Sequence, residues 1–225
     1  MNVKKLLLAL SLCLVMVLGL FFFEQGLFSS LRQEDLYGTW LTDVPAAERV
    51  ELSLIQFGIS YDVPDDLLMT YEFTFKEDGT VTIRVEEESA KNIAAVQAEA
   101  LRTTLPELLY AQYEAEANMS REETDAMLAA EGLTMETFIE MALTQVDFES
   151  QFTSESMIIT QHFRVEKGLL GYAASSVDLE AGNYDMTVVP TIKGNTMVLS
   201  DALDRDGNPF EGSGAIRYPL TLTRE

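Results

Sequence analysis

The apolar positions of this chain change period twice, from two to about 3.6 residues and back to two. The sharpest segment is a pair of alternating runs. Tyr71, Phe73 and Phe75 alternate with Glu72 and Thr74, and Val81, Ile83 and Val85 alternate with Thr82 and Arg84. Lys76-Glu77-Asp78-Gly79-Thr80 lies between them, and its Asp-Gly pair tolerates the positive φ of a tight turn, so the two runs predict an antiparallel hairpin. Two further strand-like runs precede it, Leu36 to Leu41 and Val50 to Ile55, the second continuing to Ile59.

From Ser89 to Phe152 the spacing becomes helical, with Ile93, Ala100, Leu101, Leu105, Leu108 and Leu109 at three- and four-residue steps. Pro106 predicts a kink or a restart in this first helix. Ser120-Arg121-Glu122-Glu123 reads as a capping box that opens a second helix ending near Gly132, and Thr134 caps a third running to about Phe148. After Phe152 the alternation returns in Ser156–Val165, Gly171–Leu179, Tyr184–Ile192, Thr196–Ser200 and Ala215–Thr223, separated by glycine-containing turns. Four strands before the helices and five after them fit one closed antiparallel sheet better than two open ones, because two open sheets would leave unpaired edges. The expected fold class is therefore α+β: one domain over 31–225, a barrel with strands in 36–88 and 153–225, interrupted by a helical insertion at 89–152.

The N-terminus has a different pattern. After Lys4 and Lys5, an unbroken apolar stretch runs from Leu6 to Phe23, which at roughly 1.5 Å per residue is just long enough for a transmembrane helix. The lysines precede it and no positive cluster follows, so residues 1–30 predict a signal anchor with the domain outside the cytoplasm. Two alternatives stand beside retention. Cleavage as a signal peptide would give a secreted protein, although the run ends Phe21-Phe22-Phe23-Glu24 without small residues. Lipidation at Cys13 is the other, although Leu12 is large for the position before an acylated cysteine.

Charge narrows the partners. The chain carries 37 acidic and 15 basic side chains for a formal charge of -22, and its 47% apolar content is enough for a packed core. Such acidity repels phosphate backbones, so nucleic acid is not an expected partner. Cys13 is the sole cysteine and His162 the sole histidine, which removes disulfides, thiolate metal sites and a serine or cysteine hydrolase from consideration. Glu86-Glu87-Glu88 reads as a solvated run after a strand, and Asp204-Arg205-Asp206-Gly207-Asn208 as a polar turn whose glycine is misplaced for a calcium loop. No metal, cofactor or catalytic residue is expected, and the protein is not read as an enzyme.

Gly38-Thr39-Trp40 on the first predicted strand resembles the G-x-W signature of lipocalins and lipocalin-like domains. The resemblance implies that Trp40 closes one end of a barrel and that Arg224, after the last strand, packs over it, with Gly38 completing the motif. The Phe73-to-Val85 hairpin and the run ending Gly194-Asn195-Thr196-Met197-Val198-Leu199 also look like strands of small bacterial members. The later T-D-Y motif of true lipocalins has no counterpart here, and the helical insertion interrupts the barrel.

The expected function is an extracytoplasmic, membrane-anchored lipocalin-like module that binds a small apolar ligand or acts as a scaffold. Its candidate ligand-binding face is Tyr71, Phe73, Phe75, Val81, Ile83 and Val85, although the same stripe also suits a solid core. The membrane, through residues 6–23, is the first expected partner. The alternative is a protein-interaction or chaperone-like module working through the acidic helices at 91–148, with Met119, Met127, Met135 and Met141 as adaptable contacts.

Overall fold

The computed structural model describes residues 31–56, 58–213 and 216–225. The expected anchor, residues 6–23 within 1–30, and Cys13 lie outside the described residues; among the described residues no helix is long and apolar enough to cross a membrane. The strands are β1 (Gly38–Pro45), β2 (Leu68–Phe75), β3 (Thr80–Val85), β4 (Ile159–Glu166), β5 (Leu169–Ala173), β6 (Met186–Lys193), β7 (Thr196–Asp204), β8 (Gly212–Ser213), β9 (Ile216–Arg217) and β10 (Leu220–Arg224). Eight of them close into an antiparallel barrel in the order β1-β10-β7-β6-β5-β4-β3-β2, while β8 and β9 form a separate short ribbon. Closure pairs both edges of the sheet, so no long strand is left to recruit another chain.

The hairpin read from the sequence is present. Phe75 faces Val81, Phe73 faces Ile83 and Tyr71 faces Val85 across β2 and β3. Gly79 takes the positive φ, 79°, that the turn requires, and the Asp78 carboxylate accepts the Thr80 amide at 2.9 Å.

The two ends of the barrel differ in kind. Strand directions put the short turns β2–β3, β4–β5 and β6–β7 at one end, the base, where the chain also enters β1 and leaves β10. Every long connection leaves from the other end, the mouth. There the β1–β2 connection contains helix α1 (Ala47–Gln56). The β3–β4 connection contains α2 (Glu87–Ala117), α3 (Arg121–Ala130), α4 (Met135–Leu143) and the short α5 (Ser150–Thr153). Helix α6 (Ser176–Ala181) joins β5 to β6.

Helix α1 corrects the strand expected at Val50–Ile59. Val50, Leu52 and Leu54 satisfy an alternating pattern, yet Val50 and Leu54 are also four residues apart and share one helix face. The structure buries those two and leaves Leu52 and Ile55 at 55% and 60% exposure. The helical choice sets the Val50–Leu54 face on the barrel mouth, where a strand would have had no partner in a closed sheet. The Glu86–Glu88 run, expected as solvated charge after a strand, opens α2 with Glu87 and Glu88 exposed. The Glu86 carboxylate caps the helix by accepting the amides of Glu88 and Ser89 at 3.0 and 2.7 Å.

Of the kink or restart expected at Pro106, the restart does not occur, since α2 runs through it as one element. Proline forfeits one main-chain bond, but Leu101, Leu105 and Leu109 around it pack against Leu128, Met135, Ile139 and Leu143 of α3 and α4. Both expected caps form: Ser120 and Glu123 satisfy each other's main chain, and Thr134 accepts the Thr137 amide at 3.1 Å. The strand expected at Gly171–Leu179 ends at Ala173, because Ser175 caps α6 by accepting the Asp178 amide at 3.1 Å.

Candidate functional site

The base of the barrel is closed by three interlocked groups. Gly38 adopts φ 114°, a conformation suited to glycine, and Trp40, two residues on, points into the barrel and is fully buried. Its indole N–H donates to the Leu36 carbonyl at 2.7 Å. The Arg224 guanidinium lies 4.4 Å from the centre of the Trp40 ring and donates to the Asp35 carbonyl at 2.6 Å. Register makes this possible, because Trp40 and Arg224 are directly opposed on β1 and β10.

The inward face above this base is packed with large side chains. Phe73, Phe75, Val81 and Ile83 form one buried cluster with Trp40, Phe163, Leu170, Tyr172, Met197 and Leu222. Phe75 meets Phe163 edge-on, with ring centres 5.0 Å apart. Tyr172 is buried among them with its hydroxyl unpartnered, and burial pushes that phenol well above its ordinary range. Of the six expected lining residues, these four therefore meet protein atoms, and Tyr71 bridges this cluster to the next one. Val85 belongs wholly to that next cluster.

This second cluster is the plug in the mouth. Val44, Met69 and Val85, at the upper ends of β1, β2 and β3, are covered by Val50 and Leu54 of α1, Ile59, and Ala90 and Ile93 of α2. A third cluster holds α3 and α4 against the outer half of α2. Arg102 of α2 donates to Glu140 of α4 at 2.5 Å on the exposed side of this contact.

Between the second and third clusters lies a pocket of about 390 Å³ with predominantly apolar walls. Leu54 and Ile59 form one side, Leu101 and Leu105 of α2 the back, and Leu143, Val146 and Phe148 the other side. Its polar side chains are Ser53, Gln97 and Gln151. Gln97 is 6% exposed, and its amide nitrogen donates to Ser53 Oγ at 3.3 Å. Ser53 Oγ in turn donates to the Val50 carbonyl at 2.7 Å. This leaves Gln97 Oε1 buried with no partner. Burying an unpaired carbonyl costs roughly 1–3 kcal/mol, so it marks the pocket.

Gln97 is not among the expected site residues, because a single amide within a helical run matches no motif. A signal was present: Gln97 falls four residues after Ile93 and four before Leu101, in the middle of the apolar stripe of α2.

The acidic side chains have other work. A larger hollow of about 690 Å³ on the outside of the barrel includes Asp43, Glu72 and Glu86. Glu86 caps α2, and Glu72 accepts Arg84 at 2.8 Å and Thr74 at 2.9 Å. Burial tends to raise the Glu72 carboxyl, but these hydrogen bonds and the Arg84 charge outweigh it and hold the group below its ordinary value. Among the described residues no group of three or more His, Cys, Asp or Glu side chains could hold a metal ion. In the Asp204–Asn208 segment the Asp204 carboxylate is engaged by the amides of Asp206 and Asn208 at 3.0 and 2.8 Å. His162 is a half-buried strand residue opposite Thr80. Of the four methionines expected as contacts, Met127 and Met141 are exposed, Met119 is half-buried, and Met135 is buried between the helices.

Comparison with protein-family models, curated proteins and solved structures finds no match for the chain.

Proposed function

We propose that this protein is an extracytoplasmic binding module, tethered to a membrane through residues 6–23, in which a lipocalin-like barrel is the scaffold and the helical layer over its mouth receives a small apolar ligand. The observation that carries this reading is the position of open apolar space. The barrel interior is occupied by Trp40, Phe73, Phe75, Phe163 and Tyr172, whereas a pocket of about 390 Å³ lies between α1, α2 and α4. The lipocalin-like assignment is supported by eight antiparallel strands in a closed barrel, Gly38 and Trp40 on the first strand, and Arg224 over the Trp40 ring.

Chain direction adds an orientation. Leu31 and Leu36 pack on the core of the barrel near its base, and the helical layer covers the opposite end. The pocket therefore lies at the end of the barrel opposite the one where the chain enters β1. Secretion after cleavage would leave the pocket unchanged.

Photolabelling tests the reading. The full-length chain in lipid nanodiscs is irradiated with an uncharged alkyl diazirine, and labelled peptides are mapped by mass spectrometry. Label is expected on segments 97–105 and 142–151, and its loss in Ala142→Trp, which projects an indole into the pocket from an exposed position on α4. Label confined to other segments, or unchanged in Ala142→Trp, would refute it. Protein capture through the acidic insertion is the second reading, favoured by exposed Met127 and Met141.

A further inference from the structure

We infer that the pocket between α1, α2 and α4 selects an uncharged aliphatic molecule that carries one hydrogen-bond donor, a hydroxyl or an amide N–H, and that Gln97 Oε1 is the acceptor it meets. The inference rests on the binding reading above and adds the chemistry of the ligand to it.

Three observations converge on this class. The walls contributed by Leu54, Leu101, Leu105, Leu143 and Phe148 require an apolar body, and about 390 Å³ is enough to admit a medium-length alkyl chain. Gln97 is held in one orientation, because its amide nitrogen donates to Ser53 Oγ, whose own proton is directed to the Val50 carbonyl. Rotating the amide by 180° would set two acceptors against each other. The unpaired atom is therefore an acceptor, and only a donor relieves it. The third observation is charge. No basic residue lines this pocket, and the insertion over 89–152 holds twelve acidic side chains against three basic ones. A carboxylate would bring a further acceptor and a negative charge into that field, and an ammonium would lose its hydration among leucines. A neutral donor meets neither penalty.

The position of Gln97 also argues against a purely structural role. Leucine at this point of the stripe would fill the same space without an orphan acceptor, so the glutamine is costly to the unliganded fold. A built-in polar defect buried in the wall of a ligand-sized space is the arrangement expected of a recognition group.

The experiment uses the alkyl diazirine label on the full-length chain in nanodiscs, with 1-octanol, octyl methyl ether and octanoate as competitors. Octanol and its ether share a chain and differ in the donor. In the native protein octanol is expected to compete at about tenfold lower concentration than the ether, and in Gln97→Leu that advantage falls below about threefold. Reading the octanol-to-ether ratio in both proteins cancels partition into lipid. Octanoate is expected to be the weakest competitor of the native protein. Labelling that persists in both proteins with the same octanol-to-ether ratio would overturn the donor assignment and leave the binding reading standing. Octanoate matching octanol would overturn it too. Loss of labelling from segments 97–105 and 142–151 in the native protein would overturn the binding reading itself.

Discussion

Replacing Gln97 with leucine is expected to stabilise the unliganded protein, which is the opposite of what deleting a hydrogen-bonding side chain usually does. The magnitude follows from two opposing contributions. The bond lost is the Gln97 amide donating to Ser53 Oγ at 3.3 Å, long for its type and worth about 0.5–1 kcal/mol. Ser53 keeps its own bond to the Val50 carbonyl, so no second orphan is created. What is gained is removal of the buried, unpaired Oε1, worth about 1–3 kcal/mol, together with a side chain suited to the apolar stripe of α2. The net is about 0–2.5 kcal/mol in favour of the variant. For a chain of this size that raises Tm by about 2–4 °C per kcal/mol. Urea unfolding followed by far-UV circular dichroism reads it, because the signal follows the helices that enclose the pocket. A midpoint below that of the native protein would refute the reasoning, since it would mean that Oε1 is satisfied in solution.

Three further outcomes follow from other parts of the molecule. Arg224→Ala removes a charge-assisted bond to the Asp35 carbonyl and the cation over Trp40, and should cost about 2–4 kcal/mol; Trp40 is the sole tryptophan, so its emission should shift to the red in the folded variant. Glu72 titrates below its ordinary value when folded, so its contribution is complete above the unfolded carboxylate pKa and is lost as pH falls through the lower folded value. The stability–pH curve of Glu72→Gln should therefore be flatter below about pH 4.5 than that of the native protein, and an unchanged slope would contradict the Arg84 pairing. Burial pushes the Tyr218 phenol up to about 12, so it favours the folded state fully below the unfolded value near 10 and loses that contribution as pH rises toward 12. Urea midpoints measured between pH 10 and 12 should fall less steeply in Tyr218→Phe.

The parts of the fold legible in the sequence are those fixed by neighbours in the chain. The β2–β3 hairpin needs only alternation and Asp78-Gly79, and the helix starts at Ser120 and Thr134 need only three-residue spacing, so each was readable and each is present. Helix α1 was not, because Val50 and Leu54 satisfy both periods and the barrel mouth decides between them. The same limit hid the pocket. Its walls come from Leu54, Leu101, Leu143 and Phe148, brought together by the α2–α4 packing, which no local pattern encodes. The residues expected to line a cavity, Phe73, Phe75, Val81 and Ile83, do share the inward face, but only the summed volume of Phe163, Tyr172 and Met197 opposite them reveals that the interior is filled.

The central claim is that apolar ligand is received by the helical layer and not by the barrel. Crystals of the protein grown with 8-bromo-1-octanol, measured at the bromine absorption edge, test it most directly. The account predicts one anomalous peak within contact distance of Leu101, Leu143 and Phe148. A peak among Phe73, Phe163 and Tyr172, or none in the helical pocket, would contradict it.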